Sequence, residues 1–98
     1  LGEAEPLFNQ ALKLYKAAGD RAGEGIALHN LGFLAAERGD LAEAEKRMRS
    51  ALGIHRDTGQ RSEAGEVLRD LAKILARTGR KDEAALLESE AAALQPPA

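Results

Sequence analysis

Residues 28–52 read LHNLGFLAAERGDLAEAEKRMRSAL, and this stretch decides the fold. Leu28, Leu31, Gly32 and Ala35 fall at i, i+3, i+4 and i+7, so they share one face of a helix. Ala44, Met48, Ala51 and Leu52 form a second such stripe. Between them lies Gly39, and a residue free to take φ > 0 ends a helix there. Asp40 follows as an N-cap. Asp40-Leu-Ala-Glu43 reads as a capping box, with the glutamate reaching back to an orphan N–H. The segment is predicted to be two antiparallel helices joined by a tight turn.

Working outward, the sequence matches itself when shifted by 40 residues. Ala11-Leu12 falls on Ala51-Leu52, Gly19 on Gly59, Arg21 on Arg61 and Gly25 on Gly65. Leu28 falls on Leu68, Leu31 on Leu71 and Gly39 on Gly79. Glu3-Ala4, Glu43-Ala44 and Glu83-Ala84 form a threefold series. The pattern predicts five helices, at 2–18, 22–38, 41–57, 62–78 and 81–95. Connections this short make sequential helices antiparallel. Pro6 is expected to loosen the first helix by removing a backbone donor, and Pro96 and Pro97 to stop the last one.

Composition narrows the class. Alanine, leucine and glutamate are the commonest residues, all good helix formers, and aromatics are only 3%. The 14 basic and 16 acidic residues are interleaved, so no basic stripe marks a nucleic-acid surface. The nearest candidate, Lys46, Arg47 and Arg49, is flanked by Glu43 and Glu45 and reads as a solvated helix face. There is no cysteine, hence no disulfide or thiolate chemistry. No apolar run reaches the roughly 20 residues of a membrane span. No signal peptide is visible, and the expected setting is cytoplasmic.

The repeated residues resemble the tetratricopeptide repeat family, whose signature runs W-x2-L-G-x2-Y, then A-x3-F, then P. Its first half is matched by Leu28-x2-Leu31-Gly32-x2-Ala35 and Leu68-x2-Leu71-Ala72-x2-Leu75. Its second half is matched by Ala4-x3-Phe8, Ala44-x3-Met48 and Ala84-x3-Glu88, with Pro96 in the place of the proline. The 40-residue period and Glu3-Ala-Glu-Pro-Leu-Phe8 look like the longer, kinesin-light-chain type of repeat. The resemblance implies an all-α fold of antiparallel hairpins stacked as a right-handed α-solenoid. Residues 1–98 then form one repeat domain. Residues 1–20 are the second helix of a truncated repeat, 21–60 a full repeat, 61–95 the last repeat and 96–98 a tail.

Two expectations concern the ends. The missing partner of helix 2–18 is expected upstream in a longer protein, so the face with Leu7, Leu14 and Tyr15 either drives self-association or leaves the helix to fray. At the other end, Glu88 stands where Phe8 and Met48 stand. A buried unpaired carboxylate is costly, so Glu88 is expected to face water, with helix 81–95 capping the array.

The resemblance also implies where function lies, because the first helix of each hairpin lines the concave side of such arrays. On helix 22–38 that face carries Ile26, Asn30, Phe33 and Glu37, with His29 at its edge. On helix 62–78 it carries Glu66, Asp70, Lys73 and Arg77, with Arg69 at its edge. Phe33 is either an anchor for a ligand side chain or a packing contact to helix 2–18 or to the next repeat. Asn30 stands where long repeats of this family carry an asparagine that grips a peptide backbone. The four charged residues of helix 62–78 are either ligand contacts or a self-paired helix face. Only Asn30 fits the family's clamp for chaperone C-terminal carboxylates, so that ligand is not expected.

Catalysis is not expected. His29 and His55 have no nucleophile arrangement around them, and no metal-ligand spacing or glycine-rich phosphate loop occurs. No cofactor is implied. The reading is a scaffold that binds a peptide or partner protein in the concave groove, without nucleic acid or membrane. The alternative is a structural or self-association module of a larger regulatory or signalling protein.

Overall fold

The computed structural model describes residues 3–94. They form five helices and no strand: α1 (Ala4–Ala18), α2 (Arg21–Glu37), α3 (Leu41–Asp57), α4 (Arg61–Arg77) and α5 (Lys81–Leu94). The expected bounds hold to within two residues. The expected stop at Pro96 and Pro97 lies outside the described residues.

All four connections are one device used at 20-residue intervals. Gly19, Gly39, Gly59 and Gly79 take φ of 71°, 82°, 71° and 84°, a region that penalises any Cβ. At each turn the backbone makes the paired Schellman bonds. Asp40 N–H donates to the Ala35 carbonyl at 2.9 Å and Gly39 N–H to the Ala36 carbonyl at 3.0 Å. Two helix starts are then capped by aspartate. Asp20 Oδ1 accepts from Gly23 N–H at 2.9 Å and Asp40 Oδ1 from Glu43 N–H at 3.2 Å. The capping box at Asp40 is only half formed, because the Glu43 carboxylate accepts from Arg47 Nε at 2.7 Å instead.

Pro6 does not loosen α1. The helix begins at Ala4, so Pro6 occupies its first turn, where the missing N–H has no intrahelical partner to lose.

Each helix packs on its sequence neighbours, and α2 also contacts α4. Among the described residues, α1 with α3 and α3 with α5 make no Cα approach within 8 Å. The even-numbered helices therefore form an inner layer, and the odd-numbered ones an outer layer that splays. The hairpin core is set by small residues facing large ones. Gly32 lies against Met48, and Met48, Leu68, Leu71 and Leu75 are fully enclosed.

The splayed outer helices are joined by ion pairs. Arg49 Nη2 donates to Glu83 at 2.8 Å and Arg56 pairs with Glu90, both from α3 to α5. Arg80 reaches back to Glu45, and Arg38 likewise reaches Glu5 on α1. Burial opposes ionisation of Glu45, but hydrogen bonds from Arg49 and Arg80 outweigh it and hold the carboxyl below its ordinary range.

Candidate peptide-binding face

The inner layer presents the residues expected to meet a ligand, but not as one set. Phe33 is 50% exposed and Ile26 46% exposed, two turns apart on α2. Phe33 is thus not consumed by packing on α1. Asn30 lies between them, half-buried, and Glu37 is exposed beyond them. On α4, Glu66, Lys73 and Arg77 are exposed.

His29 and Asp70 are brought together by the fold. Helices α2 and α4 touch, and His29 Nε2 lies 2.7 Å from Asp70 Oδ2. With Nε2 protonated, the imidazole donates to the carboxylate. Lys73 Nζ approaches the other carboxylate oxygen at 3.9 Å. The hydrogen bond from His29 holds the Asp70 carboxyl below the ordinary range. Burial opposes this, and the Lys73 and Arg69 charges assist it. Asp70 is therefore a clasp between successive inner helices rather than a free ligand contact. No sequence motif announces the pair, since its members stand 41 residues apart. The 40-residue register, which places position 70 beside position 30, was the one available signal.

This clasp has a pH consequence. A carboxyl with a depressed folded-state pKa contributes stability above the unfolded value, near pH 4, and loses it as acid protonates the folded form. Acid unfolding of the wild type should therefore include a component that Asp70→Asn removes. Melting midpoints measured from neutral to strongly acidic pH check this. An unchanged acid limb in Asp70→Asn would show that the clasp contributes nothing.

Glu66 and Arg69 also line a cleft of about 230 Å³ between α4 and α5, with Gly65, Ala91 and Leu94. The second histidine, His55, is a core residue at 1% exposure. Its Nδ1 lies 2.8 Å from Gln60 Oε1, and its ring lies against Gly25 where a Cβ would come within 2.7 Å. Nothing in the sequence separated it from an exposed histidine except its place one residue after Ile54 on the buried stripe.

Two layers of antiparallel hairpins with a shared inner face define a helical-repeat scaffold. The tetratricopeptide repeat model matches residues 1–57 and, in a second register, residues 23–96, and the chain belongs to that family. No curated protein and no solved structure gives a significant match. Tetratricopeptide repeats are generally non-catalytic protein–protein interaction modules. Among the described residues, no helix is long and apolar enough to cross a membrane.

Proposed function

We propose that the α2–α4 face holds a segment of a partner protein. The observation that carries this is the exposed aromatic: half of Phe33 is open to water, with the exposed Ile26 two turns away on the same inner helix. Aromatic side chains supply large contact area at low entropic cost, and binding energy concentrates on such residues. Asn30, with one acceptor and two donors on its amide, is placed to bond a peptide backbone between the two apolar anchors. The regular turns at residues 19, 39, 59 and 79 support the long-period, kinesin-light-chain kind of repeat, with units at 21–60 and 61–95.

Peptides selected from a random displayed library against the chain test this. Phe33→Ala should weaken the selected peptides by about 2 kcal/mol, roughly thirtyfold, while leaving the melting curve unchanged. Selected peptides that bind Phe33→Ala and Asn30→Ala as well as wild type would sink the proposal.

A second reading, self-association, rests on a different observation. Leu7 and Leu14 are 65% and 63% exposed, two turns apart on α1. They can pair with the same patch of a second copy. Tyr15, expected to share this face, instead packs against α2 at Gly23, where a Cβ would clash with its ring. Glu88 is exposed, as expected, but so is the neighbouring Leu86. On this reading, light scattering gives a mass above the monomer at high concentration, and Leu7→Glu with Leu14→Glu returns it to the monomer. A monomeric wild type would end this reading.

A further inference from the structure

The outer helix layer contains a gap that the chain bridges in one repeat and leaves open in the other. Between α3 and α5, the gap over α4 is crossed by Arg49–Glu83, Arg56–Glu90 and Arg80–Glu45. Between α1 and α3, the equivalent gap lies over α2. There Glu5 is the counterpart of Glu45, but it pairs with Arg38 at the end of α2, because Arg80 becomes Asp40 forty residues earlier. The contact of Arg56 with Glu90 is not repeated. Forty residues earlier, Arg56 becomes Lys16 and Glu90 becomes Ser50. A cation remains where its carboxylate is missing.

The space is real. A cleft of about 430 Å³ opens there, with Lys16, Arg21, Lys46, Arg47 and Arg49 around it and Leu28 and Ile54 among its lining. Ser50 and Gly53 keep it wide, and a Cβ built on Gly53 would meet nothing within 4 Å. Two carboxylates, Glu24 and Asp57, border it. Three of the five cations already have partners: Arg21 with Glu24, Arg47 with Glu43, and Arg49 with Glu45 and Glu83. Lys16 and Lys46 have no ion-pair partner among the described residues. Within the basic triplet, Arg47 and Arg49 pair with carboxylates of their own helix and Lys46 is exposed, as a solvated helix face requires. The fold adds Lys16 and Arg21 to it from two other helices.

We propose that this α1–α3 cleft is a second interaction site, which takes an acidic peptide segment of a protein partner. One of its carboxylates stands where Glu90 stands in the following repeat and pairs with Lys16, and a neighbouring one meets Lys46. The internal template favours a carboxylate. Glu24 and Asp57 at the rim interrupt any continuous track for a polyphosphate backbone, and the chain as a whole carries a net charge of −2. The site lies on the outer layer and is independent of the groove at Phe33.

A fluorescently labelled hexaglutamate peptide, followed by anisotropy at low salt, is the probe. Wild type should bind it saturably, and Lys16→Glu should weaken it by at least about tenfold. Ser50→Glu supplies the missing carboxylate from within the chain. It should weaken binding at least as much while keeping a wild-type circular dichroism spectrum. Ala93→Glu makes the same change of charge on α5 and should leave binding unchanged, as should Phe33→Ala. The proposal is overturned if wild type shows no saturable binding. It is also overturned if Ala93→Glu matches Ser50→Glu, which would leave only overall charge. Tighter binding of a hexathymidylate than of hexaglutamate would make the surface a nucleic-acid site instead and overturn it equally.

Discussion

Leu71→Ala should lower the folding free energy by about 3 kcal/mol, read as a drop of roughly 15 °C in the melting midpoint. Leu71 has no exposed surface. It sits on α4, the helix that packs on α3 and α5 and also touches α2. Truncation removes the transfer free energy of the lost carbons and leaves a cavity that three neighbouring helices cannot all collapse into. A chain of this size has about 5–15 kcal/mol in total, so the loss is a large fraction. Leu14→Ala is the comparison, since Leu14 is 63% exposed. It should shift stability by no more than about 0.5 kcal/mol. Thermal and urea melts followed by circular dichroism check both. A Leu71→Ala midpoint within a few degrees of wild type would mean that α4 is not the centre of the core.

Two glycine-to-alanine changes should have opposite signs. At Gly32, an added Cβ would lie 2.7 Å from Met48 Cγ and 3.2 Å from the Ala44 carbonyl oxygen. Met48 can yield somewhat, but the carbonyl belongs to the backbone of α3 and cannot move without shifting that helix. Overpacking outweighs the gain in helix propensity, and Gly32→Ala should cost about 1–2 kcal/mol. Gly53 lies in the middle of α3 with nothing within 4 Å of the same atom. There the reduced entropy of the unfolded chain and better propensity act alone, and Gly53→Ala should add about 0.5–1 kcal/mol. The same melts decide the matter. Equal effects at the two positions would remove the close approach of α2 and α3 as the reason for Gly32.

Helical periodicity puts Gly32 on a buried stripe and Gly53 off one, but local pattern does not display how closely the partner helix approaches. The same holds for the partners of the histidines. His29 reaches a carboxylate 41 residues away, while His55 is sealed against Gly25. The candidate face was legible in part. Ile26, Phe33 and Glu37 follow from helical periodicity once the buried stripe is known. Arg69 also borders the α4–α5 cleft, because periodicity gives an angle around a helix, not which of two neighbours lies at that angle.

The five helices, their turns and their pairing order were legible in the residues alone. Those features rest on local causes: glycines that accept φ > 0, aspartates that cap, and apolar residues at helical spacing that need a neighbour. Which side chains meet across the layers depends on how the hairpins stack. Asp70 became a clasp and Lys16 an unmatched cation because stacked hairpins carry residues about 40 positions apart into contact or apart from it. A gap between outer helices exists only once the inner helices have packed, so no single segment contains it.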